Sequence, residues 1–324
     1  MKNMHSPRVS IVMPCFNGER FLAEAIESVL GQTLQDFELI VVDDGSTDGS
    51  TAILDLYRDR YRDRVRIIRQ TNCGVSSARN AGVAAAAGDL LAFLDADDYW
   101  DPRFLEKMVQ GLSDPSTAIA YCGWQVVGTV QGKPFVPPDY ETDEKMHHLL
   151  RFASLWPIHG ILIRRSLMPA GVPFNLEYPA CEDYDLWLRI ASFHPIRLVS
   201  EVLAFYRKHG PANATSDQAR VARYNLLVKQ RFLDDFPVLR KTFSRAQIRE
   251  YCAGGVVDRG YRCLWAGDLK NAHGIFRHAL AKRLIGPKDL KYALAALLPI
   301  GVYSRIVQRR LASPVDHDPE ERPT

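Results

Sequence analysis

Three short, largely apolar runs fall early in the chain, and each ends in a polar cluster. Residues 9–13 lead into Pro14, Cys15, Phe16, Asn17 and Gly18. Residues 37–42 lead into Asp43, Asp44, Gly45, Ser46, Thr47 and Asp48, and residues 90–94 into Asp95, Ala96, Asp97 and Asp98. Runs of this length without strict alternation are the pattern of strands covered on both faces, as in a parallel sheet. After the first two runs the period changes to that of a helix, with Phe21, Ala25, Val29 and Leu30, then Ile53, Leu54 and Tyr57. Residues 6–111 therefore predict a β-α-β-α-β-α-β-α order, an α/β class with right-handed crossovers and a mostly parallel sheet flanked by helices. Ligands bind such sheets at the carboxyl ends of the strands. The pattern thus sets Phe16, Asn17, Asp43, Asp44, Asp95 and Asp97 on one rim.

Beyond residue 111 the pattern loosens. Residues 118–136, with Gly123, Gly128, Gly132 and Pro134, predict short strands, followed by a loop at Pro137 and Pro138. A helix is expected over 141–152, a strand near 160–163, a helix over 182–192 and a closing strand over 196–206. From Asp217 the chain is helix-rich, with Leu226, Phe232, Val238, Leu264, Ala266, Phe276 and Leu280 as expected core. The organisation that follows is one domain over 1–216, with halves at about 6–111 and 112–216, and a helical basic region over 217–312. The tail 313–324 has little apolar content and is expected to be disordered.

Composition narrows the classes. The chain has 324 residues and a net charge of +3, which conceals a division. Residues 240–311 carry fifteen Lys/Arg against four Asp/Glu, net +11, which leaves −8 for the rest. A basic region with apolar patches suggests peripheral contact with an anionic membrane surface; the bland alternative is a solvated helical face. No reader motif accompanies the charge, so nucleic acid is not an expected partner. Six scattered cysteines without a Cys-x-x-Cys pair argue against a zinc knuckle or a disulfide framework. They fit a reducing cytosol, and residues 1–8 lack the apolar core of a signal peptide, so a cytoplasmic location is expected. Residues 292–303 form the longest late apolar stretch, with Pro299 inside it, short of the about twenty residues that span a bilayer. There is no Gly-x-Gly-x-x-Gly or Walker-type loop.

Asp95, Asp97 and Asp98 carry the first chemical signal. Crowded carboxylates raise one another's pKa unless a cation compensates them. One reading is a divalent-metal site in which one or two carboxylates share the ion with water and a substrate's phosphates. The other is a polar turn before a helix opened by Asp101 and Pro102.

Five motifs, in order and spacing, resemble the family 2 glycosyltransferases of GT-A fold. They are Val-Ser-Ile-Val-Met-Pro-Cys-Phe-Asn from Val9, Val-Val-Asp-Asp-Gly-Ser-Thr-Asp from Val41, and Asn72-Cys73-Gly74-Val75-Ser76-Ser77-Ala78-Arg79-Asn80-Ala81-Gly82. Phe93-Leu94-Asp95-Ala96-Asp97-Asp98 and Cys181-Glu182-Asp183-Tyr184-Asp185-Leu186-Trp187-Leu188-Arg189 complete the set. The resemblance covers about residues 6–216. It implies an inverting enzyme of the bacterial cell-envelope type that moves a sugar from a nucleotide-diphosphate donor, foremost a UDP-sugar, to a glycan or lipid-linked acceptor. A divalent metal, Mn2+ or Mg2+, is implied as cofactor.

The resemblance implies roles. Asp97 is the first choice for the direct metal ligand and Asp95 for a ribose or metal-water contact, and His209, beyond those motifs in Tyr206-Arg207-Lys208-His209, lies where relatives often place a histidine near the metal or diphosphate. Asp44, with Asp43, matches the acid that holds the nucleotide base, and Phe16 offers a ring for the base to stack on. Asn17, Glu19 and Asn72 are assisting contacts, and Pro14 shapes the backbone that approaches the nucleotide. Glu19 is equally a first-turn helix acid. Arg79 matches a nucleotide or phosphate contact that also suits an ion pair with Asp43 or Asp95. Asp183 matches the base that takes the acceptor hydroxyl's proton, with Glu182 as support. Trp156 and His159 are candidates for the acceptor cleft or, equally, for the core, and Trp187 is a candidate for the acceptor cleft. Two competing functions remain at this point: a catalytically inactive nucleotide-sugar-binding scaffold, and a metal-dependent nucleotidyltransferase.

Overall fold

A computed structural model describes residues 6–151, 155–209 and 216–311. The chain forms two compact units: one of Met1–His148 and Ser154–Asn213, the other of Leu149–Ala153 and Ala214–Thr324. The expected tail 313–324 lies outside the described residues.

The first unit is built on an eight-stranded sheet. Its strands are β1 (Val9–Cys15), β2 (Phe37–Asp43), β3 (Val65–Arg69), β4 (Leu90–Phe93), β5 (Tyr99–Trp100), β6 (Ile119–Gly128), β7 (Ile161–Arg164) and β8 (Ile196–Lys208). Their spatial order is β3-β2-β1-β4-β7-β6-β8-β5. β1 to β4 pair in parallel, as the apolar runs require, because both faces of these strands are covered. Every residue of β1, β2 and β4 is buried. β7 then runs antiparallel to both β4 and β6, which makes the sheet mixed.

The crossovers are α1 (Leu22–Leu30), α2 (Ser50–Arg60) and α3 (Val75–Ala85); α4 (Phe104–Gly111) follows β5. Gly82 lets α3 sit directly on β1, since a Cβ there would come within 2.3 Å of Val12 Cγ1. α5 (Lys145–Arg151) is shorter than the helix expected over 141–152, whose last position is not described. α6 (Glu182–Ala191) begins after Cys181, which takes a left-handed φ of 65°.

The second unit is helical: Gln218–Asp235, Pro237–Arg240, Arg245–Arg249, Gly255–Trp265, Leu269–Ala281, Leu290–Ala293 and Ile300–Leu311, with a π-turn at Glu250–Gly254. Leu226, Phe232, Leu264 and Phe276 are buried, as expected. Val238 is not: at 80% exposure it lies on the outside of a four-residue helix, too short to present a core face. Ala266 is exposed as well, at the cap of the Gly255–Trp265 helix.

Candidate active site

The carboxyl ends of β1, β2 and β4 do share one rim, and their loops are laced together. Asn17, at φ 51°, donates its N–H to Ser46 Oγ at 3.0 Å, and its Oδ1 accepts the Thr47 N–H at 2.8 Å. The Gly18 N–H reaches Ser50 Oγ at 2.9 Å. Glu19 Oε2 accepts the Gly49 N–H at 2.9 Å, so this acid caps α2 and not the first turn of its own helix. Phe16 projects from this rim with 51% exposure, leaving its ring available.

Two expected contacts turn out to be engaged elsewhere. Asp43 is buried, with Oδ1 accepting the Ser46 N–H and Oδ2 the Thr51 hydroxyl, at 2.9 and 3.2 Å; it fastens the turn after β2. Pro14 is buried within β1 opposite Val42, past the last β4 pairing at Val12 and Phe93, so it shapes the strand from inside. Asp44 is also buried. It accepts from Gln70 Nε2 at 2.7 Å and from the N–H groups of Cys73 and Gly74 at 2.9 and 2.8 Å. Asp44 thereby ties the β2 rim to the loop that opens α3. Asn72, exposed in that loop, packs its backbone N against Gly45, where a Cβ would come within 2.9 Å. Gln70 was not singled out from the sequence, because an isolated glutamine after a strand carries no pattern.

The centre of the site is Arg79 on α3. Its Nη2 donates to Asp95 Oδ1 at 2.8 Å and its Nη1 to Glu182 Oε1 at 2.6 Å. Of the two expected ion pairs the structure contains that with Asp95, not that with Asp43. Only 4% of the Arg79 side chain is exposed, and Nε has no partner. Burial disfavours its charge, but Asp95 and Glu182 outweigh that and raise its pKa. One guanidinium thus joins the acidic end of β4 to the start of α6.

Asp183 stands next to that bridge. Its Oδ1 accepts the Tyr184 N–H at 2.7 Å. Burial first, then the Glu182 charge, push the carboxyl up to about 7, against the pull of Arg79. A carboxyl at that position in the pH range is suited to accept a proton. On the other side of Asp95, Asp97 Oδ2 lies 2.8 Å from His209 Nε2. Burial, then Asp98 and Asp95, push Asp97 up to about 6, while His209 opposes the shift.

Asp98 is fully buried and acts as a brace. Its Oδ1 accepts the Arg207 N–H at 2.7 Å, and His159 Nδ1 stands 3.0 Å from Oδ2. Burial works against a charged His159, but the neighbouring Asp98 carboxylate prevails and raises its pKa. The Arg207 side chain donates to the Asp97 carbonyl at 2.9 Å and pairs with Glu24 at 2.7 Å. These contacts fix the end of β8, and with it His209, against the β4 loop.

The acceptor-cleft expectations are corrected. Trp156 is 1% exposed and stacks on Tyr121 at 4.6 Å; Trp187 is 2% exposed on the inner side of α6. Both rings are core. His159, equally buried, stacks on Tyr206 and faces Asp98. Among the described residues no group of three or more His, Cys, Asp or Glu is arranged to hold a metal ion.

Comparison with known proteins bears on this geometry. The family model described as Glycosyl transferase family 2 matches residues 10–167. The putative glycosyltransferase EpsH of Bacillus subtilis (strain 168) is 30% identical over 345 residues, spanning 95% of this chain and 99% of that protein. Among solved structures, S. aureus TarS 1–349 in complex with UDP-GlcNAc superposes with a TM-score of 0.65 at 18% identity. It covers 96% of this chain and 94% of its own. The mannosyltransferase PcManGT from Pyrobaculum calidifontis, in complex with GDP-Man and Mn2+, gives 0.55 at 18% identity, over 95% and 86% of the two chains. At these identities the solved structures speak for the shared fold.

Proposed function

The chain belongs to glycosyl transferase family 2, and from that premise we propose that it transfers a sugar from a nucleotide-diphosphate donor with inversion, by single displacement. The observation that carries this reading is the Arg79 fork, which brings Asp95 and Glu182 onto one guanidinium. The donor-side acids and the candidate base thereby share one site.

In this mechanism Asp183 takes the proton of the attacking acceptor hydroxyl at its carboxylate. Its pKa near 7 leaves it largely ionised just above neutrality, yet basic enough to be useful. Glu182 and Asp95 hold Arg79 between the end of β4 and the start of α6. Phe16 offers its exposed ring to the nucleotide base. Asp44 positions the base pocket indirectly, by fixing the backbone of Cys73 and Gly74.

The residues present fit a divalent metal. Asp97 and His209 face each other at 2.8 Å, and burial first, then the Asp98 and Asp95 charges, push Asp97 up to about 6. A carboxylate with one imidazole suits Mn2+ or Mg2+ when water and phosphates supply the other ligands. Asp97 and His209 are the proposed ligands, with Asp95 beside them. When bound, the ion neutralises charge on the departing nucleoside diphosphate.

The donor proposed first is a UDP-sugar, in line with the UDP-GlcNAc complex of the TarS structure. The GDP-Man and Mn2+ complex of the mannosyltransferase keeps GDP donors in the panel. A glycan or lipid-linked hydroxyl is the proposed acceptor, reached by peripheral contact with the inner face of the cell membrane.

The test incubates the purified protein with Mn2+ or Mg2+, a donor panel and hydroxyl acceptors, and measures the nucleoside diphosphate released. Asp183→Asn is expected to lower release by about 10²–10⁴-fold while donor binding, read as a melting shift, persists. Loss of donor binding with transfer intact would contradict the assignment of the base.

A further inference from the structure

We infer that the outer face of residues 290–302 is the surface by which this protein docks on an anionic lipid bilayer. This deepens the reading of a peripheral membrane contact and is independent of the transfer chemistry.

The segment runs through the short helix Leu290–Ala293, a 3-10 turn at Leu294–Leu297, Pro299, and the start of the helix Ile300–Leu311. Its inner side is already satisfied. Ala293, Ala296, Tyr303 and Val307 are buried, and His273 Nε2 holds the Leu298 carbonyl at 2.8 Å. A helix of a soluble domain with one face so buried ordinarily turns polar residues outward. This one does not. Leu290, Leu294, Leu297, Leu298, Ile300 and Val302 are between 39% and 62% exposed. Among the described residues of the C-terminal unit, seven large apolar side chains are exposed, and all but Val238 lie in this segment. Scattered exposure of single residues is ordinary, whereas a contiguous run of this kind marks a contact surface.

Charge selects the occupant. The sequence from 282 to 310 holds Lys282, Arg283, Lys288, Lys291, Arg305, Arg309 and Arg310, and one acid, Asp289. That acid is buried and accepts the Tyr261 hydroxyl at 2.9 Å, so it is turned away from the outer surface. A second copy of the chain would set the same basic segment against itself. An anionic bilayer instead complements the basic residues while its acyl boundary takes the leucines. No described helix is long and apolar enough to cross a membrane, so the segment lies in the interface plane.

Sedimentation of the full chain with phosphatidylcholine vesicles, with and without phosphatidylglycerol, tests the inference. Partition is expected to be at least about tenfold stronger on the anionic vesicles and to weaken with salt. The double variant Leu294→Ser/Leu297→Ser is expected to lose about tenfold or more, because two partly exposed leucines no longer enter the bilayer. Lys288→Glu/Arg305→Glu removes the preference for anionic lipid, and Val238→Ser, more exposed but elsewhere, changes nothing. Melting temperatures of all variants equal to that of the parent exclude unfolding as the cause. Absence of vesicle binding by the parent overturns the inference, as does binding that survives the leucine pair. A dimer in light scattering that the leucine pair dissociates, without lipid partition, identifies a second copy as the occupant and overturns it too. Asp183→Asn is expected to sediment like the parent, so failure of the transfer reading stays distinguishable from failure of this one.

Discussion

A carboxyl held near pH 7 has two consequences that can be measured separately. For turnover, Asp183 must be ionised to accept a proton. The rate is therefore expected to fall tenfold per unit as pH drops below about 7 and to level off above it. For stability the sign is opposite. The folded pKa is raised above the unfolded value, so between about 4 and 7 the native state binds the extra proton. Stability from this group is fully present below about 4, is lost progressively as pH rises from there, and is gone above about 7. Asp183→Asn should accordingly stabilise the protein more at pH 8 than at pH 5, as urea titration at both values would show. Arg79 is the converse case. Arg79→Gln leaves Asp95 and Glu182 facing each other without a counter-charge, and is expected to cost about 3–5 kcal/mol, read from the same titrations. The sequence motifs placed Asp95 and Asp183 at the ends of their elements, and the fold brings both next to Arg79. Single residues were not legible where a neighbour remote in sequence decided the outcome. Asp44 reads as a base-contacting acid, and only the fold shows the N–H groups of Cys73 and Gly74 on its oxygens. Trp156 reads equally as a cleft ring or a core ring until Tyr121 is found stacked on it.

At the scale of elements, the parallel half of the sheet was readable because its strands are apolar on both faces and separated by clear helical periods. Burial enforces that pattern directly, so composition reports it. The other half was less so. Residues 118–136 suggested several short strands, yet β6 runs unbroken for ten residues. Its register against β8 shifts at Cys122, Gly123 and Trp124, and Phe135 returns to bridge Trp124. Glycine there serves a close approach rather than an ending: a Cβ on Gly123 would come within 2.7 Å of the Phe135 carbonyl. The same logic makes Gly82 a test of how α3 delivers Arg79 to the site. Gly82→Ala would drive its methyl to 2.3 Å from Val12 Cγ1 and is expected to destabilise by about 1–3 kcal/mol. Removing the obstructing branches with Val12→Ala should return part of that loss in the double variant. A double-mutant cycle measured by urea denaturation would show a coupling energy with that sign. Additive losses would instead mean that the α3–β1 approach adjusts freely.

The whole molecule carries its charge unevenly, and this bears on how an anionic donor is held. Outside residues 240–311 the chain sums to −8. Within the site Asp95, Glu182 and Asp183 surround the buried Arg79, whose donors already serve Asp95 and Glu182, and Asp97 and Asp98 add their carboxylates beside His209 and His159. A diphosphate approaching such a surface meets like charge, and salt weakens that repulsion without reversing it. The proposed donor binding is therefore expected to need an added cation. Nucleoside diphosphate alone is expected to leave the melting temperature unchanged, whereas the same ligand with Mn2+ at about a hundredfold excess over its dissociation constant adds about 2.7 kcal/mol by mass action. For a unit of this size that corresponds to a rise of about 5–10 °C, which EDTA should reverse. Asp97→Asn removes a proposed ligand and one of the repelling charges together, so the two effects separate in this variant. The metal-dependent rise should shrink, while the parent protein's indifference to metal-free nucleotide should give way to weak binding. A full melting shift by nucleotide in EDTA on the parent protein would mean that the basic side chains near the rim, Arg207 and Lys208 among them, suffice to hold the diphosphate without a metal.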